Sequence, residues 1–239
     1  MLYLIGLGLN RKGISIEGKE YAKKCKKIYI ENYTIEYPYP LSEIAGILNK
    51  KILPADRNFV ESCKIVDEAS KKDVALLIYG SPLNATTHIS LLEEAKKSRV
   101  KCKVIQASSI FDAIAETGLQ LYKFGKTASL PKWDLEKHFK PESFIEIIKD
   151  NQKIQAHSLL LVDIDMFFNE ALEQLKEAAE KNNLILDYLI ICQALGTKKS
   201  KIFYDKINTL NGIRGMRKPF CIIIPGKLND NEKEFLERF

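Results

Sequence analysis

The residues with most chemical promise stand in one run, Tyr79-Gly-Ser-Pro-Leu-Asn-Ala-Thr-Thr-His88. It reads as a strand end, a Gly-x-Pro turn, and then small and hydroxyl-bearing residues that open a helix. Backbone amides at such a helix start can hold a polar or anionic group, and Thr86 or Thr87 is placed to cap the helix. An ordinary capped helix with His88 in its first turn explains the same residues, and elementary physics alone prefers it. A second candidate is Gly6-Leu7-Gly8, which follows an apolar run. The dinucleotide fingerprint needs a third glycine where Arg11 stands, so that reading fails. What survives is close approach of the backbone to a ligand at the carboxyl end of a strand. A plain strand-to-helix turn accounts for these glycines equally well. Asp163 and Asp165 close a predicted strand with both carboxylates on one face, although a solvated loop entry is the commoner cause of such a pair.

Other chemistries are excluded by what the chain lacks. Its three histidines, His88, His138 and His157, have no carboxylates or cysteines at metal-ligand spacing, and no metal site is expected. Neither a G-x-S-x-G elbow nor a G-x-x-x-x-G-K-[ST] phosphate loop occurs. Five cysteines, odd in number and never in a C-x-x-C pair, argue against a disulfide framework and for a reduced, intracellular protein. The formal charge of +6, from 37 basic against 31 acidic residues, is spread over helix faces where lysines aid solubility. No arginine-rich or aromatic-interleaved tract marks a nucleic-acid track, so no direct nucleic-acid binding is expected. No stretch reaches the roughly 18 apolar residues of a membrane helix, and no membrane partner is expected. The apolar first nine residues read as a buried strand rather than a signal peptide.

Groups at strand ends need strands to carry them. Apolar runs at 2–7, 27–30, 74–79, 104–107, 159–164, 188–192 and 221–224 alternate with amphipathic stretches at 58–70, 85–98, 110–119, 142–151 and 169–182. This alternation predicts an α/β protein with parallel sheets covered by helices. A length of 239 residues with 46% hydrophobic content suffices for one large or two small cores. Residues 123–141 mix Gly125, Pro131, Trp133 and Pro141 with charges and show little helical period. They predict a linker and a boundary near Gly125, giving domains 1–124 and 125–239. There is no internal repeat.

Together these segments resemble the diphthine synthase family, within the methyltransferases that share the tetrapyrrole methylase fold. The likeness runs in order through Leu4-Ile-Gly-Leu-Gly-Leu9, Tyr79 to His88, Val104 to Ile110, Thr117-Gly-Leu-Gln-Leu-Tyr-Lys-Phe-Gly125, His157 to Asp165, Leu195-Gly-Thr197 and Ile224-Pro-Gly-Lys-Leu228. Ala85-Thr-Thr-His88 and Thr117 to Gly125 are the specific pieces. Gly-Leu-Gly and Gly-x-Pro by themselves reach only the fold.

The resemblance implies two α/β domains of the tetrapyrrole methylase type with S-adenosylmethionine in the cleft between them, in a cytoplasmic homodimer. By matching positions it implies a cofactor pocket containing Leu9, Ser81, Asn84, Ser109, Ile110, Val162, Leu195 and Phe220. The implied reaction is successive methyl transfer to the amino group of the 3-amino-3-carboxypropyl arm on a histidine of elongation factor 2, an intermediate step of diphthamide biosynthesis that leaves S-adenosylhomocysteine. Depending on lineage, the product is a trimethylammonium form or a further methyl ester. Thr86, Thr87, His88 and Asp163 are expected to face the substrate end, because they adjoin the implied cofactor contacts. One departure stands out: the family normally has Gly-Asp-Pro where this chain has Gly80-Ser81-Pro82. A hydroxyl there cannot attract a cation as a carboxylate would. Two rival readings keep the fold. One is a methyltransferase for ribosomal RNA ribose, mildly favoured by the charge, or for tetrapyrroles; the other is a binding protein that has lost turnover.

Overall fold

Strands Leu2–Gly6 (β1) and Val74–Ile78 (β4) hold only apolar residues, tyrosine and glycine, and both are buried along their whole length. Such strands must be covered on both faces. In the computed structural model, which describes residues 1–239, they join Lys27–Glu31 (β2), Leu53–Ala55 (β3) and Cys102–Ile105 (β5) in an all-parallel sheet ordered β3-β2-β4-β1-β5. The period of two divides each strand between two cores. Leu2, Leu4, Val74, Leu76 and Ile78 pack with Val60, Ile65 and Ala69 from helices Arg57–Glu61 (α3) and Lys64–Lys71 (α4), and with Leu91 from Ile89–Lys97 (α5). Tyr3, Ile5, Ala75 and Leu77 pack on the other side with Ala22 from Ile16–Lys24 (α1) and Ile44 and Leu48 from Leu41–Leu48 (α2). The chain leaves β1 toward β2 and leaves β4 toward β5. The strand order therefore reverses around β1 and β4, the kind of switch point at whose carboxyl edge open α/β sheets bind ligands.

The second sheet contains Ala128–Leu130 (β6), Ser158–Val162 (β7), Tyr188–Gln193 (β8), Lys201–Lys206 (β9) and Phe220–Ile224 (β10), ordered β6-β7-β10-β8-β9. Here the expectation of a parallel sheet is corrected. Only β6 and β7 run parallel, and β10 pairs antiparallel with both β7 and β8, as β8 does with β9. The connection from β8 to β9 is too short for the crossover that parallel strands need. Helices Ser143–Lys153 (α7) and Phe168–Lys181 (α8) bury Phe144, Ile145, Ile148, Leu172 and Leu175 against Leu160, Ile191 and Ile222 of this sheet.

Three expected helices are shorter than their patterns. The 58–70 stretch breaks at Cys63, whose φ of 57° is left-handed. The 85–98 stretch becomes helical only at Ile89, because Ala85 has a φ of 53°. The 110–119 stretch gives Ile110–Ala113 (α6) and then a 3-10 turn over Ile114–Thr117. The chain forms two compact units, Met1–Ala113 and Ile114–Phe239, so the division precedes the Gly125 expected from composition. The intervening residues belong to the second unit by contact: Gln120 N–H donates to Glu232 on helix Asp230–Leu236 at 3.1 Å, and Gly118 lies so close to Phe235 that a Cβ would come within 2.3 Å of its ring.

Candidate cofactor and substrate site

In the first unit, Leu9, Ser81, Asn84, Ser109 and Ile110 all follow the carboxyl ends of β1, β4 and β5, so the fold brings this part of the expected set to one sheet edge. Glycine makes the edge tight: a Cβ on Gly6 would come within 2.7 Å of the Gly80 carbonyl and 2.8 Å of Ala107 Cβ. Gly8 and Gly80 exchange backbone hydrogen bonds of 3.1 and 3.0 Å, both with positive φ. Buried Ser81 donates to Gln106 Oε1 at 2.5 Å. Asn84 Nδ2 donates to Ser109 Oγ at 3.0 Å, while the Ser109 hydroxyl and backbone N–H both reach Asp112 Oδ2, at 3.1 and 2.7 Å. Tyr79 donates its hydroxyl to the Leu9 carbonyl at 3.0 Å, and burial holds this phenol well above its usual range. The edge thus presents hydroxyls, amides and backbone, with the Asp112 carboxylate behind Ser109.

The four residues expected to face substrate are placed differently from one another. Thr87 is exposed. Thr86 Oγ1 donates to the Pro82 carbonyl at 3.2 Å and accepts from His88 N–H at 3.2 Å, so its hydroxyl ties the turn together. His88 is 1% exposed, and both ring nitrogens are engaged: Nδ1 lies 3.0 Å from the Pro82 carbonyl, and Nε2 lies 3.0 Å from Glu31 Oε2. This last contact is an ion pair off the line of the ring N–H. Asp163 follows β7, and its Oδ1 accepts from Asp165 N–H at 2.9 Å. The two aspartates occupy a turn rather than one face of a strand.

Val162, Leu195 and Phe220 gather at one edge of the second sheet. Val162 ends β7, Phe220 begins the antiparallel β10 one step beyond the Cys221–Leu161 pair, and Leu195 follows Gln193, the partner of Phe220. The family-like segment Thr117 to Gly125 is held within the same unit by His157 and Glu232. His157 Nδ1 accepts from Gly226 N–H at 2.8 Å, and Nε2 lies 3.2 Å from Glu232 Oε1. Glu232 also takes Lys123 Nζ and the N–H groups of Gln120 and Asn229.

Sequence reasoning missed Glu31, Gln106 and Asp112. Asp112 was signalled, since Ser109-Ile-Phe-Asp112 has the spacing of a helix-capping pair. Glu31 follows one apolar run and Gln106 lies inside another, and only the folded chain shows what they touch. No group of three or more His, Cys, Asp or Glu side chains is placed to hold a metal ion.

Known proteins resemble this chain along most of its length. The family described as Tetrapyrrole (Corrin/Porphyrin) Methylases matches residues 1–211. A diphthine synthase of Methanococcus maripaludis is 38% identical over 99% of this chain and 98% of its own length. A diphthine methyl ester synthase of Schizosaccharomyces pombe is 41% identical over 69% of this chain and 58% of its own. A crystal structure from Entamoeba histolytica, assigned as a diphthine synthase, superposes with a TM-score of 0.91 at 32% identity, covering 100% of this chain and 98% of that one. The chain therefore belongs to the tetrapyrrole methylase family and, within it, to the diphthine synthases, a group of methyltransferases.

Proposed function

We propose that this methyltransferase uses S-adenosylmethionine to methylate the amino group of the 3-amino-3-carboxypropyl arm on a histidine of elongation factor 2, and that it works as a cytoplasmic homodimer. The observation that carries the reading is the convergence of Leu9, Ser81, Asn84, Ser109 and Ile110 on one sheet edge in a member of this family. The donor set fits: hydroxyls, a carboxamide and bare backbone at glycine-closed strand ends suit a bulky nucleoside-bearing ligand. When bound, S-adenosylmethionine supplies a methyl group already activated on positive sulfur. Ser81 and Asn84, anchored on Gln106 and Ser109, would orient such a ligand, so alignment and desolvation contribute most of the catalysis. The attacking amine must be neutral, and a site shielded from water lowers its pKa.

Calorimetric titration with S-adenosylmethionine and S-adenosylhomocysteine tests this. The expected result is about one equivalent per chain with a Kd in the micromolar range or tighter. Methyl transfer to elongation factor 2 bearing the carboxypropyl histidine should follow. Ser81→Asp, which restores the family carboxylate, is expected to tighten cofactor binding by about tenfold, equivalent to about 1.4 kcal/mol. A folded protein that gives no heat with either ligand overturns the reading.

A further inference from the structure

We propose that Glu31 and His88 are positioning residues: a buried carboxylate and imidazolium that fix the Pro82 carbonyl, and through it the placement of Ser81, Asn84 and Thr86 above the sheet edge. This rests on the reading of Ser81 and Asn84 as cofactor contacts and adds a residue, Glu31, that no motif nominated. Glu31 ends β2, the strand beside β4. It stands one step past the Ile30–Leu77 pair, next to the point where the 80–88 segment leaves the sheet.

The protonation state follows from the partners. A carbonyl can only accept, so His88 Nδ1 must carry a proton to approach Pro82 O at 3.0 Å. The Glu31 carboxylate 3.0 Å from Nε2 favours positive charge on the ring and, with the Pro82 carbonyl, raises the His88 pKa against the opposing effect of burial. Thr34 Oγ1 donates to the other Glu31 oxygen at 2.7 Å and steadies the carboxylate. The Pro82 carbonyl also receives Thr86 Oγ1, so one acceptor gathers the ring and the hydroxyl. The segment has little regular structure of its own to hold it. Pro82 has no N–H, Gly80 and Ala85 have φ of 70° and 53°, and helix α5 begins only after His88.

Cohesion does not explain the pair. An apolar pair of similar volume is often as stable in such a position, because burying two charges costs desolvation that offsets much of their attraction. What the charged pair adds is direction, and it adds it at the segment that bears the proposed cofactor contacts.

The test is cofactor titration and steady-state methyl transfer on folded, thermally characterised variants. His88→Leu removes both ring donors and is expected to weaken S-adenosylmethionine binding at least about tenfold and to lower kcat, with KM for the protein substrate within about twofold. His88→Asn keeps a donor toward Pro82 and should recover most of the loss, whereas His88→Gln, whose amide reaches toward Glu31 instead, should recover less. Glu31→Gln should fall between wild type and His88→Leu. Ring nitrogen NMR should find both His88 nitrogens protonated at neutral pH. If His88→Leu does not fold, the order of the Asn and Gln variants decides. Equal or reversed order overturns the proposal, as does a bare Nδ1 or cofactor affinity in His88→Leu within twofold of wild type. Ser81→Ala and Asn84→Ala separate the two readings. Unchanged binding in both sinks the cofactor-site assignment on which the proposal rests, while weakened binding there beside normal binding in His88→Leu sinks the positioning role alone.

Discussion

His88 and His157 are both sealed from solvent against a glutamate, with Nε2 3.0 Å from Glu31 in one case and 3.2 Å from Glu232 in the other, yet their second nitrogens meet opposite partners. Nδ1 of His88 faces a carbonyl, which only accepts, whereas Nδ1 of His157 faces the N–H of Gly226, which only donates. The first ring is therefore biased toward the imidazolium and the second toward a neutral Nε2–H tautomer. The glutamates differ to match. Glu31 has His88 as its counter-ion, while Glu232 has Lys123, with two backbone N–H groups besides, and these contacts outweigh burial to hold its pKa down to about 2. A His–Glu contact thus does not fix its own charge; the atom behind the ring bears on it together with burial and neighbouring charges.

The largest effect expected from breaking this comparison is Glu232→Ala. It removes the shared acceptor of Lys123, His157, Gln120 and Asn229, and should cost about 3–5 kcal/mol in denaturant unfolding, as for a broken buried pair. A loss below about 1 kcal/mol would show that the network is not holding the Thr117 to Gly125 segment. Glu31→Gln keeps the shape and removes the charge, with only His88 and Thr34 affected, so a smaller loss of about 1–3 kcal/mol is expected. If Glu31→Gln proved the costlier change, the ranking by number of stranded donors would be wrong.

These pairs also mark how far the sequence could be read. All seven apolar runs became strands, because a strand buried on both faces leaves an unbroken apolar signature, as β1 and β4 do. Strand β9, Lys-Ile-Phe-Tyr-Asp-Lys, escaped because its charged ends and half-buried residues break any run. Helix α1 escaped because it is short and carries Gly18, which packs so closely on Ile5 that a Cβ would come within 2.9 Å. The expected cofactor residues were legible only by resemblance, since Leu9, Ser81 and Ser109 come from three strand ends that parallel pairing, not chain proximity, brings to one edge. Glu31 was illegible for the same reason. It lies far along the chain from His88, and nothing in Lys-Ile-Tyr-Ile-Glu31 distinguishes a buried carboxylate from a solvated strand end.

The smallest effect is also the sharpest, because the two histidines should respond to pH with opposite sign. Burial pulls the His88 pKa down, but the Glu31 contact and charge, with the Pro82 carbonyl, push harder, so it lies above the ordinary 6.5. Its contribution to stability is then full below about pH 6.5 and is lost as pH rises through the folded-state value. Burial lowers the His157 pKa, with the Lys123 charge adding to it and Glu232 opposing. Its contribution is full above pH 6.5 and declines as pH falls below that, where the unfolded chain takes up the proton more readily. Each group can tilt the unfolding free energy by at most about 1.4 kcal/mol per pH unit. His88→Asn should therefore flatten the fall in stability on the alkaline side of pH 6.5 and leave the acid limb alone. His157→Asn should flatten the acid limb just below pH 6.5, while the further loss between about pH 4.5 and 2 stays with Glu232. Unfolding free energies of the three proteins across pH 2 to 9 would decide it. If both variants flattened the same limb, the two rings would share one charge state, and the carbonyl behind one and the amide behind the other would not be what sets them apart.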